Sequence, residues 1–116
     1  MQDFRNLNVW KRAHELALFV YRITADFPKD EVFGLRHSMR KAATDIPSYV
    51  AGGCGKPNDL EFSRSIAAAV AVAYRLEYQT LMAKDLDFIN EQIHIELDSE
   101  LTEVKKMLNG FNRRLS

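Results

Sequence analysis

Glu31-Val-Phe-Gly-Leu-Arg-His-Ser-Met-Arg-Lys-Ala-Ala-Thr-Asp-Ile-Pro-Ser-Tyr-Val-Ala-Gly-Gly53 is the stretch on which the reading of this chain turns. Leu35, Met39, Ala42 or Ala43, Ile46 and Val50 recur every three or four residues, which places them on one face of a helix. Pro47 lies inside that run. It has no amide hydrogen, and its ring crowds the carbonyl four residues back, so the spacing predicts a helix over 31–51 that is kinked at Pro47. A break is not expected, because the apolar spacing continues to Val50. Gly52, Gly53 and Gly55 then offer the tolerance of positive φ that a helix end prefers.

Outward from this segment, the chain divides into three more helical patterns. Before it, Leu7, Trp10, Ala13, Ala17, Val20, Thr24 and Phe27 step by three or four, with Lys11, Arg12, Glu15 and Arg22 between them. This predicts an amphipathic helix over 6–26 with Asn6 as N-cap and Trp10 as a core anchor. Phe27-Pro28 ends it, since the residue before proline is pushed out of the helical region. After it, Asn58 or Asp59 can cap a helix over 58–85 with two apolar stripes. One follows Phe62, Ile66, Ala69, Ala73, Leu76, Thr80 and Ala83; the other follows Ala67, Val70, Tyr74, Tyr78 and Leu81. A helix apolar on two sides is buried on two sides. One side meets the core of a bundle, so the second stripe is the expected oligomer interface. Residues 85–90 make the turn into a last helix over 90–115. There Ile93, Leu97, Leu101, Val104, Leu108, Phe111 and Leu115 keep close to a coiled-coil seam. The fold class expected is all-α: one domain, 1–116, forming an antiparallel up-and-down four-helix bundle.

Composition bounds the function. With 116 residues the chain can bury a single core with little surplus. Its hydrophobic share of 47% and charged share of 28% argue against disorder. No uncharged apolar run reaches the ~20 residues of a membrane span, and the opening residues do not form a secretion signal. Cys54 stands alone, so it has no disulfide partner within the chain, and a cytoplasmic setting is expected. The formal charge of zero weakens a purely electrostatic attachment to nucleic acid. Its distribution is uneven: residues 85–103 carry seven acids and no base, and residues 104–116 carry four bases and no acid. Along the last helix that order complements the helix dipole and requires no ligand.

The residues Glu31-x-Phe33-Gly34-Leu35, Met39-Arg40-Lys41-Ala42-Ala43, Ile46-Pro47 and Ala51-x-Gly53 resemble the signature of the four-helix proteins encoded in intervening sequences of bacterial 23S ribosomal RNA genes. Leu7-x-Val9-Trp10-x-x-Ala13, Phe27-Pro28, Leu76-Glu77-x-Gln79 and Met107-Leu108 fit the same pattern in the same order. The chain departs from it at Ser38, Lys41, Asp45, Tyr49 and Gly52, and at Ala71-Val72, so the resemblance concerns packing more than a polar surface. It implies a homopentameric ring. Through a distant relative that works with a reverse transcriptase, it also implies association with RNA or DNA.

Chemistry is harder to find in the residues. Gly52-Gly-Cys-Gly-Lys-Pro-Asn58 imitates a phosphate cradle, yet Val50 and Pro57 stand where a P-loop needs glycine and Ser or Thr. His14, His37, His94 and Cys54 are scattered, and only Glu91 and Asp98 keep helical ligand spacing with His94. No metal, cofactor or catalytic residue is therefore assigned. Cys54 is expected in a mobile glycine-rich loop. Arg36, His37, Arg40 and Lys41 share neighbouring helix faces and form a patch able to hold phosphate of a nucleic acid or an acidic partner. Alternatively, Arg40 forms a structural ion pair with Glu77. The reading is of a non-enzymatic oligomeric binding or scaffold protein, with a purely structural or protein-recognition oligomer as the alternative.

Overall fold

The computed structural model describes residues 2–31 and 33–115. Val32, in the expected start of the second helix, lies outside the described residues, as do Met1 and Ser116 at the limits of the expected domain. Four helices, α1 (Asn8–Thr24), α2 (Leu35–Cys54), α3 (Asp59–Asp85) and α4 (Glu91–Leu115), follow one another, and no strand occurs among the described residues. Consecutive helices pack side by side, and α4 closes against α1. The result is a four-helix bundle, 43 × 24 × 20 Å. Phe27 and Phe88 meet at one pole, with ring centroids 5.2 Å apart, and Phe62 and Phe111 meet at 5.3 Å toward the other.

Helix ends explain most boundaries. Glu31, in a short 3-10 turn over Lys29–Glu31, accepts the Leu35 amide at 3.0 Å, so α2 begins at Leu35 and not at 31. Asn58 accepts the Glu61 amide at 2.9 Å and starts α3. Asn90 accepts the Ile93 amide at 2.8 Å and starts α4. The expected Asn6 cap is corrected: Leu7 holds the cap position of α1 without a side-chain bond. Asp3 instead caps a 3-10 turn over Phe4–Asn6. At the end of α3, Asp87 takes φ 61°, the Asp87 amide reaches the Lys84 carbonyl and the Phe88 amide reaches that of Ala83. These are the paired bonds of a Schellman turn, with Asp in the place glycine usually takes.

The core follows the stripes on α2, α3 and α4. Met39, Ala42, Ala43, Ile46 and Val50 are buried, as are all seven residues of the first α3 stripe. Leu97, Leu101, Val104, Leu108 and Phe111 form the α4 seam. Of the row expected for α1, Ala13, Ala17, Val20, Thr24 and Phe27 are buried, and the core also takes in two residues beside that row. Val9 and Leu16 enter the core with Ala13, Ala17, Val20 and Thr24, while Trp10 is only half-buried and stacks on its own neighbours. The 3-10 turn brings Phe4 edge-on to Trp10, at 4.9 Å between centroids.

The glycines also act differently from expectation. No glycine has positive φ. Gly53 is needed because α2 and α3 approach closely there: a Cβ would stand 2.6 Å from the Phe62 ring. Cys54 is correspondingly the buried last residue of α2, not part of a mobile loop.

Candidate functional site

Two surfaces carry candidate side chains that packing leaves unused. The first is the outer flank of α3. Apolar residues spread more evenly around α3 than around the other helices, and its second stripe remains outside the core. Tyr74 is 56% exposed, Tyr78 62% and Leu81 45%; Ala67 is exposed and Val70 half-buried. Lys105 of α4 lies at the edge of this flank, its Nζ 4.3 Å from the centre of the Tyr74 ring and 2.9 Å from Glu77 Oε2.

That contact corrects the expected Arg40 to Glu77 ion pair. Glu77 turns toward α4 and pairs with Lys105. Arg40 turns the other way, toward the C-terminal end of α1, where unpaired carbonyls concentrate negative potential. Its Nε donates to Thr24 Oγ1 at 2.8 Å and its Nη2 to the Tyr21 carbonyl at 3.0 Å, and the guanidinium lies 4.5 Å from the centre of the Tyr21 ring. Arg36 does similar work one turn earlier, donating from Nη2 to the Phe27 carbonyl at 2.9 Å.

The second surface is the seam between α1 and α2. Arg36, His37, Arg40 and Lys41 line one open depression of about 320 Å³ with Tyr21 and Thr44. Lys41 also pairs with Asp45 at 3.2 Å, four residues on, a solvated contact of small energy. A neighbouring depression of about 310 Å³ contains Phe4, Trp10, His14, Leu18 and again Tyr21 and Thr44. Sequence reasoning found the cations but assigned Trp10 to the core, so it missed that aromatic rings of α1 stand beside bases of α2. The signal was present: Trp10, His14, Leu18 and Tyr21 repeat every three or four residues, a second helical face.

A further depression, of about 530 Å³, lies between α1 and α4 beside Glu15, Phe19, Arg22, Ile95, Glu96 and Glu100. It is rich in carboxylates, and the Arg12 to Glu100 fork crosses the same seam at 3.0 and 3.2 Å. The hydrogen bond to Glu100 raises the Arg12 pKa despite the opposing effect of burial. This fork joins two helices.

Burial, reinforced by the negative charge of Asp3, raises the pKa of the Cys54 thiol. Stability linked to this thiol is fully present below the ordinary thiol pKa and is lost as pH rises above it, because the unfolded thiol ionises first. Native Cys54 should react with Ellman's reagent at pH 8 more than about tenfold more slowly than the unfolded chain. Equal rates would place the thiol at the surface. Among the described residues, no three His, Cys, Asp or Glu side chains gather as metal ligands, and no helix is long and apolar enough to cross a membrane.

Comparison with known proteins fits this architecture. A family model described as 23S rRNA-intervening sequence protein matches residues 5–110. A crystal structure from Bacteroides thetaiotaomicron VPI-5482, of a protein with unknown function from the S23 ribosomal protein family, has the same fold, with a TM-score of 0.80. It is 16% identical, and the match covers 90% of this chain and 97% of that one. No curated protein matches. The motifs around Gly34, Ala42, Pro47 and Gly53, the four-helix bundle they build and the matched span agree: the chain belongs to the 23S rRNA-intervening sequence protein family.

Proposed function

We propose that this protein is a non-enzymatic scaffold that self-associates through the outer flank of α3 and engages its partner as an assembled oligomer in the cytoplasm. The observation that carries the reading is the exposure of Tyr74, Tyr78 and Leu81 in a row on one helix whose opposite face already fills the core. Aromatic side chains in a dry interface centre commonly dominate association energy, and clustered apolar surface on a small domain marks a contact site. The family resemblance favours a ring of five. Each copy would then present the α1 and α2 seam outward or toward a central opening, repeated by symmetry.

Light scattering at micromolar concentration tests this. The expected mass is a multiple of the 13.3 kDa chain. Combining Tyr74→Lys with Tyr78→Lys should reduce it to one chain while the helical circular dichroism persists. A single 13.3 kDa species for the unaltered protein would overturn the proposal.

A further inference from the structure

We propose that the self-association assigned to the outer flank of α3 is head to tail: the flank of one copy docks into the groove between α1 and α4 of the next. The pairing rests on that reading and adds the receiving surface.

The flank has the form of one half of a helix packing. Ala67, Ala71, Tyr74, Tyr78 and Leu81 are all exposed and step by 4, 3, 4 and 3, the spacing of a seam that packs against helices lying alongside. A groove between two helices is the complement of such a row. The depression of about 530 Å³ between α1 and α4 is such a groove, with Phe19 packed on the core and Ile95 beside it. Ile95 is 54% exposed, the one large apolar side chain of α4 left open among the described residues.

Charge points to the same match. The flank carries Arg75, which is exposed and has no ion pair among the described residues. The groove carries Glu15 and Glu96, while Arg12 beside it is taken by Glu100. Its own base, Arg22, lies in the last turn of α1, at the pole where Asp85 ends α3. A second copy set alongside in the same direction brings these groups level. From the end of α3, Leu81, Tyr78 and Arg75 stand about 6, 10 and 15 Å along their helix, at ~1.5 Å per residue. In the groove, Ile95 stands about 6 Å from the start of α4, and Phe19 and Glu15 about 8 and 14 Å from the end of α1. Apolar groups thus meet apolar groups, and Arg75 meets Glu15.

The rival surfaces fit less well. Flank against flank would gather two copies of Arg75 beside the centre of the contact and leave Ile95 uncovered. The seam of α1 and α2 presents Arg36, Arg40 and Lys41, which repel Arg75.

Complementation between two altered chains tests the pairing. Ile95→Lys with Ser99→Lys changes exposed positions of the groove. Helical circular dichroism should persist while the mass falls to that of one chain, 13.3 kDa. Mixed in equal amounts with the Tyr74→Lys, Tyr78→Lys chain, this variant should give a species of two chains, because its intact flank enters the other's intact groove. Arg75→Glu should weaken association about tenfold, and Glu15→Lys added to it should restore most of that loss. A groove variant with the mass and dilution midpoint of the unaltered chain would overturn the pairing while leaving self-association through α3 in place. A mixture in which both chains stay single would also overturn it, as would charge reversals that weaken association additively with no rescue. A single 13.3 kDa species for the unaltered chain would instead remove the underlying reading, and the pairing with it.

Discussion

Gly53→Val should lower the stability of the bundle by about 3 kcal/mol, and Gly52→Ala, one residue earlier, should raise it by up to about 1 kcal/mol. The opposite signs come from what each new side chain meets. At Gly53 a Cβ falls 2.6 and 2.8 Å from two atoms of the Phe62 ring and 3.1 Å from Ser65 Cβ. The ring cannot yield freely, because Phe111 packs against it. Overpacking of this kind costs about 1–3 kcal/mol and more when the backbones themselves must separate. The gain in helix propensity over glycine, about 0.5–1 kcal/mol, does not offset it. At Gly52 nothing lies within 4 Å, so only the propensity gain remains. Thermal unfolding decides the matter, at about 4 °C per kcal/mol for a domain of this size. A neutral Gly53→Val would mean that α2 and α3 do not approach as closely as described.

Leu76→Ala should cost about 2–5 kcal/mol of folding stability, while Leu81→Ala on the same helix should cost far less and act on assembly instead. Leu76 is fully buried between the helices, and its truncation leaves a cavity that the rigid surroundings fill only in part. Leu81 is 45% exposed on the outer flank, so the folded single chain loses little when it is shortened. Its loss should instead shift the dilution midpoint of the oligomer to higher protein concentration. Denaturant melts read the first effect, and mass against concentration reads the second. If Leu81→Ala left association untouched, the flank would not be the contact between copies.

Much of the bundle is legible in the sequence because its helices are long and their stripes repeat. The α4 row from Leu97 to Phe111 and the α3 row from Phe62 to Ala83 enter the core as their spacing predicts. In α1 two apolar faces compete, one through Val9 and Leu16 and one through Trp10 and Tyr21. Periodicity alone does not rank them; in the fold the Trp10 face is met by Phe4 of the 3-10 turn, while Val9 and Leu16 are buried. The Arg40 partner was missed for a related reason. Arg40 and Glu77 belong to adjacent helices, but each side chain leans toward the helix on its far side, where α1 carbonyls and Lys105 wait. Pairing rules based on charge say nothing about that lean. The Gly53 contact shows the same limit: a glycine in sequence signals either an unusual φ or a close approach, and only the neighbouring Phe62 distinguishes them.

The order of packing has a practical consequence for attachments. Because each helix reverses the last, Asn6 to Val9 line the same small depression as Met107, Gly110, Phe111 and Arg114, so the start of α1 and the finish of α4 are neighbours. Arg36, Arg40 and Lys41 sit toward the far pole of a body 43 Å long. An affinity tag, a fluorophore or a fused domain placed on either extremity should leave the arginine-bearing pole uncovered. A permuted chain reopened at 55–58 would preserve all four rods, but its new extremities would emerge beside the old ones and give no route to that pole.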